Sequence, residues 1–135
     1  MRHLFTFILI VTCSNVFGQV NNSLGIDDNP ILTEIESKFF NELSIVKSDT
    51  FDFSFKKIAF ITGNSGKLIL SKSQYFKDCV KPWLDKGLIP QTSVIILTKE
   101  EKEKSGGYDA IILSWVKLFT NKQLKKTIYL LSKKN

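Results

Sequence analysis

The chain has 135 residues, with 19 Lys or Arg against 13 Asp or Glu and a formal net charge of +6, a length that suits one domain with a proper core. Its single histidine (His3), its single arginine (Arg2) and one of its two cysteines (Cys13) all lie near the amino terminus, leaving only Cys79 downstream. Residues beyond 18 therefore offer no imidazole catalysis, no His-containing zinc site, no thiolate pair and no guanidinium clamp for phosphate or guanine.

Met1-Arg2-His3, the apolar run Leu4 to Val11 and the segment Val16-Phe17-Gly18 have the form of a secretory signal peptide cleaved after Gly18. The apolar run is too short for ~30 Å of hydrocarbon, so a retained transmembrane helix is not expected. A second reading is a loose lipobox, Ile10-Val11-Thr12-Cys13, that would lipidate Cys13. Thr12 suits that reading poorly, and cleavage after Gly18 is the expectation taken. The predicted organisation is a signal peptide (1–18), a flexible leader (19–30) and a single α/β domain (31–135). The expected location is periplasmic or extracellular. With Cys79 alone after cleavage, no internal disulfide is expected, and packing must hold the fold.

Four capping boxes then announce helices: Thr33-x-x-Glu36, Ser71-x-x-Gln74, Thr98-x-x-Glu101 and Thr120-x-x-Gln123. The first helix, about 33–46, aligns Ile35, Phe39, Leu43 and Val46 on one stripe. Thr50 to Phe55 alternates apolar with polar, as an edge strand or an extended lead into the next strand would. Ile58 to Thr62 is a short apolar run that stops at Gly63-Asn64-Ser65-Gly66, the pattern of a strand buried on both faces. Lys67 to Leu70 reads either as the return strand of a hairpin or as a connection, with Leu70 placed to staple against Tyr75. Helix 71–86 carries Tyr75, Phe76, Cys79, Val80, Trp83 and Leu84 at helical spacing, with a kink expected at Pro82.

Ser93 to Thr98 reads as a second buried strand and Ala110 to Val116 as the third, separated by a charged helix of barely two turns. The last helix runs from Thr120 to about Lys133, with Phe119 stapling on Leu124. The fold class is α/β: a small single-domain sandwich with a three- to four-stranded, mostly parallel or mixed sheet flanked by three main helices. The ten-residue link between the last two strands is short for a parallel crossover and allows an antiparallel pair.

Parallel strands would gather Thr62 to Gly66, Thr98, Ser114, Trp115 and Lys117 at one edge, where open α/β sheets bind ligands. Gly63, Asn64, Ser65, Gly66 and Lys67 are the candidate ligand-binding residues, able to present free amides and an ammonium to an anion. The loop is not a Walker A loop: two residues separate its glycines, and Leu68 follows the lysine. A plain hairpin turn is the competing reading. Gly106, Gly107, Tyr108 and Asp109 form a second candidate recognition loop, against the reading of a helix cap and turn. Cys79, Trp83 and Trp115 read as core or core-edge residues.

The functional expectation is an exported binding module, its partner an unknown protein or a small polar or anionic ligand. No cofactor, metal or nucleic acid is expected, and weak membrane-surface contact by the lysine-rich last helix is allowed. The alternative is a histidine-independent enzyme or small-anion-binding protein using the loop from Gly63 to Lys67.

Overall fold

A computed structural model describes residues 28–42, 51–63, 67–88 and 91–134. The expected signal peptide, the leader through residue 27, Leu43, Val46, Asn64, Ser65 and Gly66 lie outside the described residues. In chain order the elements are α1 (Glu34–Glu42), β1 (Ile58–Thr62), β2 (Lys67–Ile69), α2 (Lys72–Tyr75), a π-helical turn (Phe76–Val80), α3 (Lys81–Asp85), β3 (Thr92–Ile96), α4 (Lys99–Ser105), β4 (Ala110–Ser114) and α5 (Asn121–Ser132). The result is a mixed α/β sandwich, with strands in the order β2-β1-β4-β3.

The two central strands, β1 and β4, are parallel, from Ile58 opposite Ala110 to Thr62 opposite Ser114. Both edge strands run against their neighbours, β2 against β1 and β3 against β4. Ile58, Phe60, Ala110 and Ile112 point into a core shared with Leu32, Phe39, Phe40, Phe53, Tyr75, Phe76 and Val80. Ala59, Ile61, Ile111 and Leu113 point the other way, into a core with Leu97, Tyr108, Ile128 and Leu131. Two buried faces explain why both central strands read as unbroken apolar runs. The first core is strongly aromatic: Phe60 stacks on Tyr75 at 4.1 Å, and Phe40 touches Phe39, Phe53 and Phe76.

Thr98 and Thr120 form complete capping boxes. Thr33 and Ser71 accept from the amides of Glu36 and Gln74, as read. The Gln74 side chain, however, does not return to its cap's amide, and neither does that of Glu36. Glu36 Oε1 accepts from the Thr33 hydroxyl at 3.0 Å, and its Oε2 lies 2.8 Å from the Lys72 ammonium, an ion contact with both side chains fully buried. Lys72 also donates to the Ile31 carbonyl at 3.1 Å. This pair fastens the start of α2 to α1 across the aromatic core.

Several expectations are corrected. The buried side of α1 is Glu36, Ser37, Phe39 and Phe40, while Ile35 is 40 % exposed. Leu70 packs with the second core and Tyr75 with the first, so the sheet lies between them and no staple forms. Phe51 to Phe55 is not a strand; Phe51 and Phe53 meet edge to face at 4.9 Å, and the chain turns before an isolated bridge between Ile31 and Lys57. Residues 28–30, read as the end of a mobile leader, are tied down. Asp28 accepts from both Ser71 and Ser73, and Pro30 accepts from the Ile58 amide at 3.0 Å.

The kink expected at Pro82 takes the form of the π turn just before it, in which the Lys81 amide reaches the Phe76 carbonyl. Proline has no amide to offer and crowds the carbonyl four residues back, so the widened turn absorbs the mismatch. Among the described residues no helix is long and apolar enough to cross a membrane.

Candidate functional site

The parallel pairing of β1 with β4 brings Thr62 and Ser114 side by side at the carboxyl end of the sheet. Because β3 is antiparallel, its beginning rather than its end arrives there: Thr92 pairs with Ser114. Thr98 therefore sits at the opposite end of the sheet, where Leu97 donates to the Asp109 carbonyl at 3.0 Å. The edge that parallel strands alone would have built gains Gln91 and Thr92 in its place.

The turning point is Trp115. Its φ of 64° lies in the left-handed region, which costs a non-glycine residue on the order of 1–3 kcal/mol. Simple alternation would send its side chain to the face opposite Ser114. Instead the indole stacks on Trp83 of α3, with ring centroids 4.0 Å apart and planes 23° from parallel. The Trp115 amide donates to the Gln91 carbonyl at 3.0 Å, and the Gly63 amide donates to the Ser114 carbonyl at 2.6 Å. Gly63 is required by proximity, since a Cβ there would lie 1.9 Å from the Trp115 carbonyl oxygen.

Beneath this corner the polar groups satisfy one another. The Tyr75 hydroxyl bonds the Ser114 hydroxyl inside the core, and burial pushes the Tyr75 phenol well above its ordinary range. Burial also raises the Cys79 thiol, against the opposing effect of its hydrogen bond with Thr62. Neither group is primed as a nucleophile.

Two polar groups at the corner remain unspent. Trp115 Nε1 and Thr92 Oγ1 are both buried without a hydrogen-bond partner among the described residues. Trp115 and Val116 line two cavities. One, of ≈ 310 Å³, is lined by Gln91, Thr92, Ser93 and Leu113; the other, of ≈ 440 Å³, by Gly63, Lys117, Phe119 and Gln123 among others. Lys86 rests 5.6 Å from the centre of the Trp83 ring. A wider hollow of ≈ 780 Å³ lies between α4 and α5, but its rim charges Glu100 and Lys104 pair with each other at 2.7 Å.

Of the residues singled out in the sequence, Gly63 opens the four-residue loop of the β1–β2 hairpin and Lys67 follows it, with Thr62 opposite Lys67. The Gly63 amide is committed to Ser114, so it is not free for an anion. Lys67 is exposed. Thr92, Gln91 and the left-handed turn at Trp115 escaped the sequence reading. The one signal pointing to them was the short β3–β4 link, which allows an antiparallel pair and hence the arrival of the start of β3.

The second loop is a structural pin at the far end of the sheet. Gly106 caps α4 in a left-handed conformation, with φ 88°, and Tyr108 is buried. The Asp109 carboxylate accepts from the Lys57 amide at 2.8 Å and pairs with Lys102 at 2.7 Å. Lys57 in turn donates to the Gly106 carbonyl at 3.0 Å and lies over the Tyr108 ring at 4.4 Å.

Burial pulls the Asp109 carboxyl upward, but the Lys102 ammonium and the Lys57 amide outweigh it, leaving the group below the usual carboxylate value. A carboxyl depressed by folding contributes stability above its unfolded value, which disappears as pH falls through the folded one. Asp109→Asn is therefore expected to destabilise the protein by about 1–2 kcal/mol at neutral pH. The variant's melting temperature should also fall less steeply than the parent's below about pH 4; melting curves across that range check both.

No curated protein and no solved structure matches the chain. Residues 28–133, from the Asp28 anchor to the end of α5, match the family described as Domain of unknown function (DUF8192), and the chain belongs to that family.

Proposed function

We propose that the protein is an exported, periplasmic or extracellular α/β module that acts by binding, and that its ligand sits beside Trp115 at the strand ends. One observation carries this reading: two buried hydrogen-bonding groups, Trp115 Nε1 and Thr92 Oγ1, have no partner among the described residues, both belong to residues that line a cavity, and the Trp115 backbone is held out of its ordinary conformation. A buried polar group without a partner costs about 1–3 kcal/mol, and a ligand that supplies the partner recovers it.

The surrounding groups are donors for the most part: an indole N–H, hydroxyls of Thr92 and Ser93, the amides of Gln91 and Gln123, and the Lys117 ammonium. They suit a small molecule rich in acceptor oxygens, a carboxylate, phosphate or sugar. The alternative, a histidine-independent enzyme or anion site in the Gly63–Lys67 loop, draws less support, because that loop turns a hairpin and the Gly63 amide is spent.

Trp83 and Trp115 are the chain's two tryptophans, so their fluorescence reads the site directly. Titration with acetate, inorganic phosphate or glucose is expected to give a saturable change with at least one of them. Thr92→Val should weaken that binding about tenfold. A flat response to all three would overturn the small-ligand reading. Export predicts an intact mass beginning at Gln19 in the protein recovered outside the cytoplasm.

A further inference from the structure

We propose that β3 is a docking edge for a second copy of this chain, the two β3 strands pairing antiparallel about a two-fold axis at Val94. This is independent of the ligand reading. Trp115 donates to Gln91, and Leu97 donates to Asp109, each at 3.0 Å. Groups on an antiparallel strand alternate sides, so Gln91, Ser93, Ile95 and Leu97 face β4 while Thr92, Val94 and Ile96 turn their amides and carbonyls outward. β3 is the last strand on that side of the sheet.

Exposed edges are ordinarily blunted by brevity, lysine, proline or bulges. The opposite edge follows that rule: β2 has three residues and opens on the exposed Lys67. β3 does not. Its sequence is Thr-Ser-Val-Ile-Ile, five residues with no charge, and Ile96 is 45 % exposed.

A second copy fits this edge in three respects. The outward residues are symmetric about Val94, so a two-fold would exchange bonds between Val94 and its own copy, and between Thr92 and Ile96 of the partner subunit. Side chains on one face would then meet as Val with Val and Thr with Ile, β-branched pairs that favour strand association. The overlap from Gln91 to Leu97 holds no charge, whereas the chain as a whole carries +6. An uncharged strip is where two basic molecules can approach without facing lysine against lysine. The product is a closed dimer with a continuous eight-stranded sheet, the isologous geometry that needs no further copies.

Sedimentation of the purified protein from micromolar to millimolar concentration tests the idea. The average mass is expected to rise toward twice that of the monomer. Ile96→Pro removes an amide that faces outward and leaves the bonds to β4 intact, a placement that edge strands tolerate. It is expected to hold the mass at the monomer value with an unchanged circular dichroism spectrum. Should Ile96→Pro fail to fold, Ile96→Lys, at an exposed position, serves the same purpose. A protein that stays monomeric at millimolar concentration overturns the proposal and leaves the edge to a strand of some other protein. A dimer that survives in the folded variant also overturns it.

Discussion

Gly63→Ala should lower stability by about 3 kcal/mol or more, which for a domain of this size is a fall in melting temperature of roughly 12 °C or more. The added Cβ would lie 1.9 Å from the Trp115 oxygen, 2.3 Å from its carbonyl carbon and 2.8 Å from the Val116 nitrogen. All three are backbone atoms, so no side-chain rotation relieves the clash. Separating the strands to make room would also break the bond from the Gly63 amide to Ser114, and would slide Trp115 off Trp83. Near-ultraviolet circular dichroism should therefore lose the signal of the stacked indoles along with the stability. Gly107→Ala is the useful control: it meets nothing within 4 Å and suffers only from its φ of 95°. Equal melting temperatures for Gly63→Ala and the parent would mean that the strand ends are not this close.

The Glu36–Lys72 pair is expected to produce the other large effect. Both side chains are fully buried and 2.8 Å apart, so removing one leaves the other without its counter-ion and shielded from water. Lys72→Met and Glu36→Ala should each cost about 3–5 kcal/mol in urea denaturation. In Lys72→Met the carboxylate retains, among the described residues, only the Thr33 hydroxyl, and in Glu36→Ala the ammonium retains only the Ile31 carbonyl. The double variant Glu36→Met/Lys72→Met should recover much of that loss, since replacing a buried pair with well-packed apolar groups is often neutral or better. Single variants as stable as the parent would show that the pair is solvated in solution.

Neither of these positions stood out equally in the sequence. Gly63 is conspicuous in the sequence as the stop after an apolar run, where a tight turn or the approach of a ligand would ask for glycine. The structure gives a different reason, the approach of another strand's backbone. Glu36 was legible as one half of a capping box, a local feature needing only residues three apart. Its diversion to Lys72 was not legible, because that contact depends on how α1 lies against α2 over the Phe40–Phe60–Tyr75 core. The Asp109 loop shows the same division. Two glycines after a charged helix signal a cap, whereas the bonds from Lys57 join residues 52 apart in the chain.

Local chemistry in the sequence was sufficient to determine the helix starts at Thr33, Ser71, Thr98 and Thr120, the doubly buried strand that ends before Gly63 and the mixed α/β class. Hydrogen bonding within a turn and the spacing of apolar side chains act over a few residues, so they are written in neighbouring letters. Tertiary structure alone decided that β3 runs backward, that Thr92 rather than Thr98 joins Ser114, that Leu70 and Tyr75 lie on opposite faces, and that Trp115 turns left-handed onto Trp83. Strand direction and ring stacking are settled by which long-range packing buries the most surface with the fewest unpaired groups, a competition that no short stretch of the chain contains.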